Sequence, residues 1–260
     1  MPGRPPGTLA RESTTLRVVG WNIREGVPLH DPGRPVAEAL AADMAGFRPD
    51  VLALQEVAFT EGDRSPLLEE VSRTLGLPHR LTFPYSPAMH LPGARAGLAL
   101  LARQPWRAEA RALLPNPGLR QPTPRGEIVS WDKGVLFGRL RHGASEVWVG
   151  NVHLHPFHLF GAAAEDPVAD GVWKGLAEFV RALPEGPLLL CADLNTERRD
   201  LLLDRLPDRR LTSAITAGTS RIGMAVDDVL LGAGLDLRRS SVRYGFSDHA
   251  LCMVELEVAP

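Results

Sequence analysis

The sequence predicts a mixed α/β (α+β) domain in which sheet packs on sheet and helices cover the outside. Short apolar runs rich in β-branched residues recur along the chain, and two or three stretches carry apolar residues at helical spacing. The composition, 44% hydrophobic and 23% charged over 260 residues, allows a sizeable core. One domain is expected over residues 15–260, because layered folds often reach this length as a single unit. Met1 to Thr14 are rich in Pro, Gly and Arg without an apolar stretch, and are expected to form a flexible tail, neither signal peptide nor anchor.

Taken in order, Leu16 to Trp21 reads as a strand that exits on Asn22, with Arg24 two residues on. Proline at the start, helical spacing and a closing glycine predict a helix over Pro35 to Gly46. After the break at Pro49-Asp50, the apolar run Val51 to Leu54 is a second strand, followed by Gln55-Glu56-Val57. Ser65 to Leu75 reads as a helix. Gly97 to Leu101, Gly134 to Phe137 and Val147 to Val152 read as strands, the last delivering His153. Asp166 to Leu183 is amphipathic, with Val172, Leu176, Phe179, Val180 and Leu183 at helical spacing and Pro184 and Gly186 as stops. Leu188 to Ala192 is a buried strand ending on Asp193-Leu-Asn195. Val226 to Leu231 and Leu251 to Leu256 complete the expected strands, with Ser247-Asp248-His249 between them. The Pro-, Gly- and Arg-rich segment Pro84 to Trp131 reads as long loops apart from the strand near Gly97. No internal repeat is visible.

The formal net charge of −2 gives no basic excess of the kind that gathers phosphate backbones, so any contact with nucleic acid must be local. No window approaches about 18 consecutive apolar residues, so no membrane-spanning helix is expected and a monomeric cytoplasmic protein is the default expectation. Cys191 and Cys252 sit inside apolar runs and read as buried structural residues, too few for a disulfide scaffold and the wrong set for zinc.

The chemistry lies in where polar residues fall. Asn22, Glu56, His153, Asp193 with Asn195, and Asp248-His249 each stand at or beside an end of an apolar run, where a sheet can position side chains and loops expose them. Each alone has a structural explanation: Asn22 as a turn residue, Glu56 as a helix-starting acid, Asp193-Leu-Asn195 as an Asx turn, His153 as a satisfied histidine. Together they are carboxylates, amides and histidines without cysteine. That is the hard donor set preferred by magnesium or manganese, with imidazoles for proton transfer near neutral pH.

Six motifs stand in order: Val19-Gly-Trp-Asn22-Ile23, Pro49-Asp-Val-Leu-Ala-Leu-Gln55-Glu56-Val57, Asn151-Val-His153-Leu154, Cys191-Ala-Asp193-Leu-Asn195, Val226-Asp227-Asp-Val-Leu230 and Ser247-Asp248-His249. With them the chain resembles the endonuclease/exonuclease/phosphatase superfamily from about Leu16 to Leu256. The resemblance implies a four-layer α/β/β/α sandwich of two mainly antiparallel sheets flanked by helices. It also implies divalent-metal-dependent hydrolysis of phosphate esters by a metal-activated water. By the same resemblance Glu56 is the principal metal ligand, supported by Asn22 and Asp248; Asp193 and Asn195 hold the attacking water and the developing phosphorane. His249 faces the scissile phosphate, oriented by Asp227, and His153 points to the deoxyribonuclease, sphingomyelinase and phosphatase branches. Arg24, Arg125 and Lys133 are candidates to grip substrate phosphate.

Two departures from the commonest family pattern are Cys191-Ala192, where a glycine often precedes the Asp-x-Asn motif, and Asp228, which either faces solvent or adds charge near His249. His155 and His158 follow His153 around Pro156 and read as an exposed loop more readily than as a second metal site. The expected activity is that of a phosphodiesterase or nuclease, with nucleic acid a candidate substrate. The alternatives are a phosphomonoesterase acting on a sugar, inositol or lipid head-group phosphate, and a binding protein that keeps the fold without catalysis.

Overall fold

The computed structural model describes residues 15–30, 36–44, 46–124 and 126–259; the tail Met1 to Thr14, Pro35 at the expected helix start and Arg125 lie outside the described residues. One six-stranded sheet contains, in spatial order, β13 (Leu235–Tyr244), β14 (Ala250–Val258), β1 (Thr15–Asn22), β2 (Val51–Phe59), β4 (Arg95–Ala102) and β3 (His79–Pro87). The other contains β11 (Thr212–Ser213), β12 (Asp227–Leu231), β10 (Leu188–Asp193), β9 (Ser145–His153), β8 (Gly134–His142) and β5 (Trp106–Leu113). A separate hairpin pairs β6 (Arg120–Thr123) with β7 (Gly126–Val129). The helices are α1 (Val36–Asp43), α2 (Pro66–Leu75), α3 (Pro167–Ala182) and α4 (Asp200–Leu203).

The layers follow from which faces are apolar. Between the sheets, Val18, Leu98 and Val254 of the first meet Leu136, Val149 and Cys191 of the second in one core. The outer face of the first sheet packs on α1 and α2 through Leu40, Leu52, Leu68 and Val71. The outer face of the second packs on α3 through Phe137, Trp148, Val172, Trp173 and Leu176. The result is the expected four-layer sandwich. Both cysteines are free and buried, as the sequence suggested, and burial pushes their thiols up in pKa. Among the described residues no helix is long and apolar enough to cross a membrane.

Strand direction positions the site. Only β1 with β2 and β9 with β10 run parallel within these sheets. Parallel neighbours need a crossover, which α1 and α3 supply. Asn22, His153 and Asp193 therefore end their strands at the same rim, and Glu56 joins them from a bulge inside β2, which runs on to Phe59 instead of ending at the carboxylate. Antiparallel to β10 and β1 run β12 and β14, so their starts bring Asp227 and Asp248-His249 to that rim too.

The segment from Pro84 to Trp131 is not mostly loop: besides β4 it holds the end of β3, all of β5, and the β6–β7 hairpin. These are edge or isolated strands, in which apolar content is low. In β5 half-buried Trp106, Ala108, Ala110 and Ala112 alternate with exposed Arg107, Glu109 and Arg111. Small alanines lack the β-branched signal, although the period of two is there. Strand β13 was also missing from the expected set, because Leu235-Asp-Leu-Arg-Arg-Ser-Ser runs along a solvent-facing edge.

Candidate active site

Beneath the rim a buried pair of amides ties the two sheets together. Gln55 donates from Nε2 to Oδ1 of Asn151 at 2.6 Å, and Asn151 returns its own Nδ2 to the carbonyls of Leu54 and Ala99 at 2.8 and 3.0 Å. Unpaired amides there would be costly, so this bridge fixes the register of β2 against β9, and with it the spacing of Glu56 and His153. Glu56 sits in a β-bulge, where pairing to β4 shifts between Leu54 and Val57, and has a left-handed φ of 49°. Such strain persists only where surroundings enforce it, commonly at functional positions. Its Oε1 lies 3.8 Å from Nε2 of His153.

The same His153 nitrogen lies 3.5 Å from Asp193, and between the sheets Asn22 donates from Nδ2 to Asp193 Oδ2 at 2.8 Å, while its Oδ1 accepts the backbone N–H of Arg24 at 3.0 Å. The imidazole of His249 donates from Nδ1 to Asp227 at 2.9 Å and lies 3.8 Å from Asp193. Burial opposes the charge on His249, but the carboxylates of Asp193 and Asp227, the hydrogen bond to Asp227 and the charge of Asp248 outweigh it and raise its pKa to about 10. Burial raises Asp193 above the usual carboxylate range, while the His249 imidazolium and the Asn22 amide pull it back.

The second histidine is set in the opposite sense. His153 is fully buried, and burial, then the charges of Lys133, His249 and His155, hold its pKa well below the usual value. The Lys133 ammonium lies 3.0 Å from its Nε2, and burial lowers the lysine too, against the pull of Glu56, Asp193 and Glu25. At neutral pH one imidazole is thus charged and the other neutral, a split that separates proton donor from neutral partner.

The backbone N–H of Asn195 donates to Asp193 Oδ1 at 3.0 Å, and its Nδ2 spends one hydrogen on the Leu154 carbonyl at 3.0 Å, leaving the other. Arg24 reaches the Val27 carbonyl and lies 3.9 Å from Asp248, whose Oδ1 accepts the Ser247 hydroxyl. Lys133 stands inside the cluster, and Arg125 lies outside the described residues. Asp228 does neither thing the sequence allowed. It is fully buried and paired with Arg199, accepting also the Ser213 hydroxyl and the N–H groups of Ile215 and Val229. His155 is buried against Phe157, its pKa pushed down to about 4 mainly by burial, so it is not in an exposed loop; His158 is exposed, and the histidine trio forms no cluster among the described residues.

Sequence reasoning missed the braces. Arg199 also donates to the carbonyls of Glu197, Ile215 and Asp227, tying three rim segments together. Thr219 accepts the N–H groups of Val226 and Asp227 on its hydroxyl, and its carbonyl takes the N–H of Ala250, so it locks Asp227 beside His249. Glu25 is a buried carboxylate accepting three successive N–H groups, from Met89, His90 and Leu91, which fastens the β3–β4 turn to the segment after Asn22. A singleton Arg, Thr or Glu carries no periodic signal. Replacing Asp228 by Ala leaves Arg199 largely buried and unpaired and is expected to cost about 3–5 kcal/mol, read as a lower denaturant midpoint with unchanged slope.

The donor chemistry fits a hard divalent cation. Asp193, Asp227 and His249 each offer a ligand atom, all within 4.8 Å of one another. In that group His249, as imidazolium, has no lone pair to offer, Asp227 accepts its Nδ1–H and Asp193 accepts from Asn22 and Asn195, so Glu56 and Asp248, outside the tight group, are the rim carboxylates left for a cation.

The Endonuclease/Exonuclease/phosphatase family matches the chain over residues 19–249. No curated protein matches it. Among solved structures, an endonuclease/exonuclease/phosphatase from Beutenbergia cavernae is similar with a TM-score of 0.74 at 20% identity, over 94% of this chain and 72% of that one. The human Nocturnin catalytic domain with bound sulfate gives 0.68 at 18%, over 94% of each chain. A mannosyl-6-phosphatase from Bacteroides thetaiotaomicron gives 0.59 at 14%, over 93% of this chain and 99% of that one. At such identities the likeness to individual structures is one of fold. Members of the matched family are hydrolases acting on phosphate esters, and the match takes in all six motifs and the rim they form: the chain belongs to the endonuclease/exonuclease/phosphatase family.

Proposed function

We propose that the chain is a phosphodiesterase or nuclease that depends on magnesium or manganese and uses water as nucleophile. The observation that carries this is the His249–Asp227 pair set against the buried Asp193 carboxylate, with His153 Nε2 3.5 Å from Asp193 and Glu56 next to His153. Glu56 and Asp248 would hold the cation, with Asn22 offering the lone pair of Oδ1 that Arg24 leaves. When bound, the cation polarises a phosphoryl oxygen and offsets the charge that grows there.

The chain's own residues supply the rest. Asp193, lifted by burial, accepts the proton of the incoming water at its carboxylate, and the Asn22 amide fixes which oxygen faces the cleft. Asn195 gives its second amide hydrogen to an equatorial phosphoryl oxygen without adding charge. His249, held as imidazolium by Asp227, donates to the phosphoryl group from its other ring nitrogen; as the bond from water oxygen to phosphorus forms, that from phosphorus to the leaving oxygen breaks, and the leaving oxygen takes up this proton. Neutral His153 packs against the Lys133 ammonium, which lies 3.2 and 3.0 Å from its two ring nitrogens, without repelling it from the cleft. Lys133 and Arg24, with Arg125, grip the substrate phosphate.

A panel of substrates tests the proposal: bis-p-nitrophenyl phosphate, p-nitrophenyl phosphate, plasmid and single-stranded DNA, RNA, and sugar and inositol phosphates, each with magnesium and with manganese. Diesters are expected to react. The fold shared with a mannosyl-6-phosphatase gives a monoesterase as the second reading, and reaction of monoesters alone would establish it. A wild-type chain inert to every ester would instead be a binding protein.

A further inference from the structure

Tyr85 has no place in the family's motifs, yet the fold steers it to the site. The pairing of β3 with β4 shifts between Pro84 and Ser86, which makes Tyr85 the extra residue of a bulge. The bulge that carries Glu56 lies across the same strand, and both flank Gly97: Val57 pairs with it from one side and Pro84 from the other. A Cβ at Gly97 would stand 2.2 Å from the Phe83 carbonyl, so glycine is what lets both bulges form there. Bulges re-aim side chains.

The ring of Tyr85 is fixed. It packs edge-on to Phe83 at 5.7 Å, and a Cβ on Gly134 would come within 3.1 Å of it. Gly134 follows Lys133 and pairs with His153 across β8 and β9, so the tyrosine lies beside the Lys133–His153 contact. The residue is 9% exposed, and its hydroxyl has no hydrogen-bond partner among the described residues and is not a fully buried atom, so it is open to a ligand. Burial, and then the charges of Glu56 and Asp193, push its pKa well above the ordinary value, so the proton stays on. A neutral donor with an unspent hydrogen therefore stands beside the Lys133–His153 contact.

We infer that Tyr85 is a substrate-binding residue whose hydroxyl donates to a non-bridging oxygen of the phosphoryl group, an assignment that rests on the proposed phosphoesterase activity. A phosphoryl oxygen held beside Lys133 is the acceptor the hydroxyl lacks, and a donor without charge serves there without adding to the positive field.

Tyr85→Phe removes the hydroxyl alone. Three quantities decide the matter: kcat/KM for bis-p-nitrophenyl phosphate at saturating manganese, the Kd of inorganic phosphate for the manganese-loaded protein by calorimetry, and the Kd of manganese itself. The variant is expected to lose about 10²-fold in kcat/KM, as for deletion of one oxyanion donor. Phosphate affinity should fall roughly tenfold, as for a lost hydrogen bond to a charged group, with manganese affinity unchanged. Wild-type rate and phosphate affinity in Tyr85→Phe would overturn the assignment, and so would a loss of manganese affinity, which would make Tyr85 a support for Glu56. Glu56→Gln is the control for the underlying activity. Loss of turnover in Glu56→Gln with none in Tyr85→Phe refutes Tyr85 alone; a wild type that neither binds phosphate nor turns over refutes both.

Discussion

Glu56→Gln is expected to cut turnover by roughly 10³-fold or more, because the cation's charge stabilisation is worth several kcal/mol and each 1.36 kcal/mol is a factor of ten. The substitution keeps size and shape and removes the charge. Glu56 is partly exposed at the bulge, and among the described residues its carboxylate makes no hydrogen bond that the sheets need. The thermal midpoint should therefore stay near wild type while the manganese Kd rises. Unfolding of the variant would instead make Glu56 a structural residue of the bulge.

Asp227→Asn should have the second-largest effect, lowering the maximal rate roughly a hundredfold, because the carboxylate both orients the ring and holds its charge. The sign of the accompanying pH effect follows from the cause. His249 carries its proton up to about 10 because the charges of Asp193 and Asp227 outweigh burial. If the imidazolium is the working form, the wild-type rate falls as pH rises towards that value. In Asp227→Asn one of the raising charges is gone, so the alkaline limb moves to lower pH. Stability follows the same direction: the pair's contribution is complete below the ordinary 6.5 and fades as pH rises through about 10. His249→Ala should be at least as damaging as Asp227→Asn, and the double variant little worse than the poorer single one, since the two act as a unit. Asp228→Asn should weaken the fold through Arg199 and leave the alkaline limb in place. A limb that moves in Asp228→Asn and stays put in Asp227→Asn would reverse the assignment.

Much of the rim was legible because of how buried strands end. Parallel pairs deliver Asn22 with Glu56 and His153 with Asp193 to one side, so an apolar run followed by a polar residue already marks a site position. The layers were legible for the same reason: the inner strands are continuously apolar and α3 is strongly amphipathic. What escaped was what depends on distant partners. Gln55 meets Asn151 across 96 residues of chain, Glu25 meets the turn at Met89 across 64, and Arg199 reaches Asp228 across 29. Nothing local distinguishes these residues from solvated polar ones. Asp228 illustrates the limit: on a strand, neighbours point to opposite faces, so Asp227 and Asp228 cannot both serve His249, but which one does depends on register with β10. Edge strands such as β5 and β13 escaped because their inward residues are only half-buried and mostly alanine, or because they bury little at all.

The dependence of bis-p-nitrophenyl phosphate hydrolysis on manganese concentration tests the central claim most directly. The account predicts no turnover in chelator, a saturating rise as manganese is added to the wild type, and a curve in Glu56→Gln that is both lower and displaced to higher manganese. Full turnover in chelator, or identical curves for the two proteins, would contradict it.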